Sequence, residues 1–173
     1  MKMKYIALAL LALGLTTAAS AEDRVTAGYS FPAVSFQEGV WSADVEKNLV
    51  KLGNVDVFAG AAFARAQRTD FADTVWTATL GAQVPLSDRV ALKTSVTRNF
   101  VSDVQDVDSF SLGVVYQGDL WRFAGAAVKT EYVNTVAELT AERKVLGDLA
   151  VGVGSQFDGG EYYNTKVFVS YSF

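Results

Sequence analysis

The sequence predicts an all-β fold, a closed antiparallel up-and-down transmembrane β-barrel of ten strands, with eight strands as the alternative. Three patterns lead to this prediction: apolar and small polar residues alternate, turn signals recur at intervals close to one hairpin, and aromatic residues flank the alternating segments. A period of two gives a strand two different faces. A sheet that crosses a membrane must close on itself, because lipid cannot satisfy the hydrogen bonds of a free edge.

The beginning of the chain has the pattern of a secretory signal peptide. Lys2 and Lys4 precede an apolar stretch at residues 6–15, and Ala19-Ser20-Ala21 has the small-x-small pattern of a cleavage site. The apolar stretch is too short for a membrane-spanning helix. We therefore expect a signal peptide at residues 1–21 and a single barrel domain at residues 22–173, exported through the periplasm to the outer membrane.

Four two-residue turn signals divide the remainder of the chain: Gly53-Asn54, Ser87-Asp88, Gly118-Asp119 and Gly147-Asp148. Longer polar segments lie between them, at residues 35–39, 68–73, 102–108, 131–134 and 158–160. Short turns at one end and longer loops at the other are typical of outer-membrane barrels. The segments between these marks give ten strands, or eight if one weak pair of segments is loop.

Alternation assigns faces in four segments, at residues 75–84, 89–100, 109–117 and 149–157. In each, aliphatic or aromatic residues oppose Gly, Ser, Thr and a few charged residues. A soluble barrel, which is the alternative fold, would place its apolar residues inside and its charges outside. The small, sparsely charged polar face favours an enclosed lumen, and the apolar face is predicted to meet lipid. The alternation is too weak to orient residues 55–67 and 120–132.

Aromatic residues form the second argument for a membrane. One group flanks the loops: Phe36, Trp41, Phe71, Trp76, Phe100, Phe110, Tyr132, Phe157, Tyr162 and Tyr163. The other lies near the turns or the final residues: Phe58, Tyr116, Trp121, Phe123, Tyr171 and Phe173. Two aromatic girdles around an aliphatic band are what the two membrane interfaces select. Lys47 and Arg98 fall on the lipid face near strand ends, where we expect them to extend to the interface.

The composition argues against several classes of function. The sequence has no histidine and no cysteine, which excludes Ser-His-Asp catalysis and histidine or thiolate metal ligation. It has no Gly-rich phosphate loop and no basic patch suited to nucleic acid. We therefore predict that the protein is not an enzyme, with no catalytic residues, no metal and no cofactor.

The charged residues of the polar face are the candidate functional residues. We predict that they line the lumen: Asp44, Glu46, Arg89, Lys93, Glu138, Glu142 and Lys166. Ten strands leave room for a thin file of water or for a plug of paired ions, because the interior of an eight-stranded barrel is already filled by side chains. The net charge of −4 favours a preference for cations if ions pass.

The final segment KVFVSYSF, residues 166–173, alternates strictly. Val167, Val169, Tyr171 and Phe173 are predicted to face lipid, opposite Lys166 and Ser170. Phe168 falls on the inner face and has no assigned role. Pairing of this strand with a first strand near residues 25–33 would close the barrel and remove the sheet edge.

With its leader, alternating strands, short turns and this final segment, the chain resembles small, porin-like outer-membrane β-barrel proteins of bacteria. The resemblance implies that the final strand is an assembly signal for the barrel-insertion machinery, with Tyr171 and Phe173 as its matching aromatics. Phe168 stands where that family often has glycine. The implied partners are outer-membrane lipid, lipopolysaccharide, the insertion machinery and small solutes.

The first functional hypothesis is a narrow, passive porin-like channel for small hydrophilic solutes or ions. The alternative is a non-conducting structural or surface-interaction barrel of the outer membrane, for which the acidic loop at residues 102–108 is the candidate contact.

Overall fold

The computed structural model describes residues 23–32, 39–66, 74–101, 106–131, 134–158 and 161–173, and it describes their side chains except at Pro32, Ala66 and residues 161–163. These residues form ten strands: β1 Arg24–Pro32, β2 Val40–Leu52, β3 Val55–Ala66, β4 Thr74–Pro85, β5 Val90–Val101, β6 Val107–Gln117, β7 Trp121–Thr130, β8 Val136–Leu146, β9 Leu149–Asp158 and β10 Glu161–Ser172. The described ranges contain no helix that is long and apolar enough to cross a membrane. The predicted signal peptide and much of the predicted loops lie outside them.

Each strand pairs antiparallel with its neighbours in sequence, and β10 closes the barrel by pairing with β1. In this closing pair Val25 is opposite Tyr171 and Ser30 is opposite Lys166. The prediction of ten strands is confirmed, and the alternative of eight is wrong. The contact between the first and last strands was also predicted correctly, because both strands carry the same period of two.

All four predicted turns connect consecutive strands at one end of the barrel, which we call the turn side; the opposite end is the loop side. Gly53 and Gly147 have φ angles of 66° and 55°. This left-handed conformation is strained for residues with a Cβ atom, so glycine at these two positions permits the tight turn.

Burial alternates along the strands as the sequence predicts. In β6, for example, Phe110, Leu112 and Val114 are exposed, whereas Ser111 and Val115 are buried. The final segment has the predicted orientation as well, with Val167, Val169 and Tyr171 outward and Lys166, Phe168 and Ser170 inward. The outer surface is therefore apolar and the inner surface largely polar.

The described aromatic residues follow the predicted girdles with one exception. Trp41, Trp76, Phe100 and Phe110 point outward near the loop side, and Tyr116, Trp121, Phe123, Tyr171 and Phe173 point outward near the turn side. Phe58 was predicted to join the second group, and this prediction is wrong. Its side chain points inward and is fully buried. The prediction failed because alanine and glycine dominate β3 and give no reliable sign of which face is apolar.

Glycines make room for the two buried phenylalanines. Phe58 pairs with Gly81 of β4, and a Cβ atom at position 81 would overlap the Phe58 ring. Phe168 lies in register with Gly152 of β9 and with Gly28 of β1. Large inward rings are thus accommodated where at least one neighbouring strand has glycine at the paired position, as close packing of a barrel interior requires.

Candidate functional site

The inner face of the barrel is a polar lumen. Its buried residues include hydroxyl, amide and charged side chains: Arg24, Thr26, Ser30, Ser42, Glu46, Thr77, Lys93, Ser95, Thr97, Asn99, Ser111, Thr130, Glu138, Gln156, Asn164, Lys166 and Ser170. Burying so many polar groups is costly unless they satisfy one another or water. These side chains must therefore be held largely by hydrogen bonds and ion pairs with one another.

An ion pair joins opposite parts of the lumen wall on the turn side. Lys93 on β5 donates hydrogen bonds of 2.8 Å to both carboxylate oxygens of Glu46 on β2. Since β3 and β4 lie between these two strands, the pair crosses the lumen instead of following its wall. The Lys93 ammonium also lies 4.1 Å from the centre of the Phe58 ring, in cation–π geometry.

A second ion pair crosses the lumen from β1 to β8. Arg24 donates a hydrogen bond of 2.6 Å to Glu142, with β10 and β9 between their strands. The same carboxylate accepts a hydrogen bond from Ser170 and lies 3.8 Å from the Arg122 guanidinium on β7. We call Arg24, Glu46, Lys93, Arg122 and Glu142 the turn-side layer; both of its cross-lumen pairs are buried and charge-assisted.

Three further charged residues form a central layer nearer the loop side: Asp44 on β2, Glu138 on β8 and Lys166 on β10. Glu138 accepts a hydrogen bond of 2.7 Å from Gln156, which in turn accepts one of 3.4 Å from Asn164. The carboxylates of Asp44 and Glu138 both interact electrostatically with the Lys166 ammonium. The Lys166 ammonium makes no hydrogen bond with any residue that the structure describes.

The opposite wall of the central lumen is neutral. Hydroxyl and amide side chains of β4, β5 and β6 bond to each other in adjacent pairs: Thr77 with Asn99 at 3.2 Å, Thr79 with Thr97 at 3.0 Å and Ser95 with Ser111 at 2.7 Å. These short side chains remain close to the wall. The charges of the central layer therefore face a hydroxyl-lined surface across the lumen.

The structure places the predicted lumen residues as follows. Six of them point into the lumen, in the two layers: Asp44, Glu46, Lys93, Glu138, Glu142 and Lys166. Arg89 does not; it lies in the turn before β5, its side chain is 58% exposed and its guanidinium is 3.7 Å from Asp119. A hydrogen bond with Tyr116 raises the pKa of Arg89 above its ordinary value. The prediction for Arg89 is wrong because the alternating segment was taken to begin at residue 89, whereas β5 begins at Val90.

Sequence reasoning missed two members of the turn-side layer, Arg24 and Arg122. Arg24 begins an alternation in which Thr26, Gly28 and Ser30 share its face, so extending the inner face of β1 by one step would have identified it. Arg122 lies in a segment whose alternation is too weak to orient it.

The turn-side and central layers, both in the described strands, together hold four cations and four anions: Arg24, Lys93, Arg122 and Lys166 against Asp44, Glu46, Glu138 and Glu142. A cavity of about 20 Å³ remains beside Arg122 and Glu142 at the turn-side mouth, enough for about one water molecule. Within the described ranges, no three histidine, cysteine, aspartate or glutamate side chains are grouped so that they could hold a metal ion.

Comparison with known proteins gives a structural likeness. No protein-family model and no curated protein sequence matches the chain. A structure of the KdgM porin matches with a TM-score of 0.60 at 8% identity, covering 87% of this chain and 99% of that chain. A second one, of the KdgM porin in complex with disordered oligogalacturonate, has a TM-score of 0.61 at the same identity and coverage. The fold is that of a small porin-like β-barrel. At this identity the likeness extends to the fold alone.

Proposed function

We propose that the protein is an outer-membrane barrel that forms a narrow, passive channel for small hydrophilic solutes or ions. The observation that carries the proposal is the turn-side layer, in which ion-paired side chains of the described strands reach across the lumen. Flexible side chains held by ion pairs can separate and re-form within a rigid barrel. An apolar outer face with two aromatic girdles supports placement in a membrane.

The closed side-chain arrangement makes this a constricted channel, in contrast to an open pore. Arg24 and Glu46 are opposite each other in the β1–β2 register, so the Glu46–Lys93 and Arg24–Glu142 pairs cross the lumen at nearly the same depth. Water and solutes can then pass this level only while at least one pair is broken. The balance of inward charges reduces the cation preference expected from the net charge of the chain. We propose weak ion selectivity with low conductance.

Recording from the purified, refolded protein in planar bilayers tests this function. We expect brief openings of small conductance and a reversal potential near zero in a salt gradient. The same preparation should show heat-dependent gel mobility, the property of a closed barrel, so that unfolded protein is not mistaken for a silent channel. Folded protein that carries no current would overturn the proposal and favour the alternative, a non-conducting structural barrel.

A further inference from the structure

The outer face of the barrel carries a groove across β7, β8 and β9. Its volume is about 550 Å³, within the range of about 300–1,000 Å³ that is typical of pockets for small ligands. Outward side chains line it: Phe123, Leu139, Ala141, Val153, Ser155 and Phe157. Because the outer surface of the barrel is apolar in general, the concave shape, and not apolarity, distinguishes this region.

The direction of the Leu139 side chain opens the groove. Leu139 is opposite Gly125 on β7 and opposite Ser155 on β9. A Cβ atom at position 125 would lie 3.2 Å from Leu139 Cδ2, so the leucine leans over the glycine and leaves space above Ser155. The Ser155 hydroxyl shares a hydrogen bond of 3.3 Å with the Thr165 hydroxyl on β10. This part of the groove is therefore compatible with a hydrocarbon chain.

The length of the groove suits one leaflet of a bilayer. On β9 its loop-side end is at Phe157, six positions after Val151, which is opposite Arg143 of β8. At about 3.3 Å per residue, this distance is about 20 Å along the strand. With a strand tilt of about 35–45°, it covers roughly 15 Å of depth, half of a hydrocarbon core of about 30 Å. One acyl chain of a lipid in the turn-side leaflet would fill it.

Arg143 provides a positive charge at the turn-side end of this groove. It lies on the outward face of β8, two positions after Ala141. Its guanidinium is 5.6 Å from the centre of the Trp121 ring, which belongs to the turn-side girdle and so places the charge at the depth of lipid headgroups. No residue in the described ranges forms an ion pair with Arg143. An exposed guanidinium of this kind can bind a phosphate through two parallel hydrogen bonds.

We propose that the groove and Arg143 together form a binding site for one anionic phospholipid. Its acyl chain lies in the groove and its phosphate binds the Arg143 guanidinium. Since no described carboxylate neutralises Arg143, the site favours a headgroup with a net negative charge over a zwitterionic one. The proposal goes beyond the channel function and rests only on the placement of the barrel in a membrane.

The opposite part of the outer surface offers matched positions outside the groove. Lys47 on β2 is also exposed, outward and near the turn side, and it makes no ion pair with a described residue. Ala43 on the same strand is an outward alanine, as Ala141 is in the groove. Neither Lys47 nor Ala43 lines the groove, so both serve as controls.

Tryptophan fluorescence tests the site directly. In a variant with Trp41→Phe and Trp76→Phe, Trp121 is the remaining tryptophan, and it lies beside Arg143. The protein is refolded into phosphatidylcholine vesicles in which a minor fraction of the lipid is brominated phosphatidylglycerol or, in a second sample, phosphatidylcholine with the same brominated chains. Bromine quenches a tryptophan that it contacts, so the ratio of the two quenching efficiencies measures lipid preference at one fixed depth. We expect a several-fold preference for phosphatidylglycerol.

Two substitutions in the same background make the result specific. Arg143→Gln removes the charge and Ala141→Leu fills the groove, and each should abolish the preference. Lys47→Gln and Ala43→Leu, the same changes outside the groove, should keep it. The proposal is overturned if the two brominated lipids quench Trp121 equally, if Arg143→Gln or Ala141→Leu retains the preference, or if either control loses it. The first comparison needs neither substitution, so it decides the proposal without them.

This readout does not depend on current. A silent barrel that prefers phosphatidylglycerol at Trp121 would contradict the channel function and leave the lipid site intact. An inserted barrel, identified by heat-dependent gel mobility, that shows no preference would contradict the lipid site alone.

Discussion

The ring of Phe168 on β10 fills the space above Gly152 on β9, with which it is in register. Gly28 of β1 is in register with Phe168 on the other side. A large inward side chain is thus paired with two positions that have none. This contact gives a packing role to Phe168, which alternation placed on the inner face without a role. Along β10 the ring lies between Lys166 of the central layer and Ser170, which bonds to the turn-side layer.

The first prediction concerns this contact. Gly152→Ala should destabilise the folded barrel by about 1–3 kcal/mol, because the added methyl group overlaps a packed ring. In a Phe168→Ala background the same substitution should cost much less, since the ring is gone. Urea unfolding in lipid vesicles, followed by tryptophan fluorescence, measures both. Equal costs in the two backgrounds would show that the overlap is not the cause.

The second prediction concerns the Glu46–Lys93 pair. Lys93→Met should destabilise the barrel by about 3–5 kcal/mol, because it leaves a buried carboxylate without its main partner. The combined change Glu46→Gln with Lys93→Met removes both charges and should recover most of that loss. The same unfolding experiment applies. A double variant as unstable as Lys93→Met would mean that the packing of Lys93 on Phe58, and not its charge, stabilises this layer.

The third prediction concerns the β2–β3 turn. Gly53→Val should destabilise the barrel by about 1–2 kcal/mol, because valine is strained at the positive φ of this position. Gly53→Asn is the matched control, since asparagine tolerates the left-handed conformation. Nothing lies within 4 Å of a Cβ at this position, so steric overlap does not contribute. Equal stability of the two variants would contradict a conformational cause.

The fourth prediction concerns assembly. The resemblance to outer-membrane barrels implies that Phe173 is part of a signal for the insertion machinery. Phe173→Ser should lower the amount of inserted protein in cells several-fold, whereas the purified variant should refold as wild type does, because the backbone bond from Phe173 to Asp23 remains. Val167→Ser, the same kind of change on the same outward face, is the control. Normal insertion of Phe173→Ser would remove the assembly role.

The sequence predicted the barrel well because the two faces of each strand differ strongly in polarity. Strand count, turns and closing strands follow from a period of two and from four turn dipeptides, all of which are local signals. The failures occur where that signal is weak. Residues 58–62 and 123–127 both read Phe-Ala-Gly-Ala-Ala, yet Phe58 points into the lumen and Phe123 points outward. Alanine and glycine fit either face, so only pairing with the neighbouring strands sets the orientation.

The partners within the lumen could not be predicted in the same way. Glu46 meets Lys93 from three strands away, and Arg24 meets Glu142 likewise. Such contacts depend on strand tilt and on the stagger of the whole barrel, which no single segment encodes. Sequence alternation identifies which residues face the lumen, whereas their pairing requires the closed structure.

The measurement that tests the account most directly is the conductance of a variant with one cross-lumen pair removed. Glu46→Ala with Lys93→Ala keeps the net charge and shortens both side chains. Arg98→Ala with Asp108→Ala is the control, because it removes an ion pair of 3.0 Å on the outside of the barrel. In planar bilayers the lumen variant should conduct several-fold more than wild type, and the control should match wild type. A lumen variant that is folded and conducts no more than wild type would contradict a passage closed by its own ion pairs.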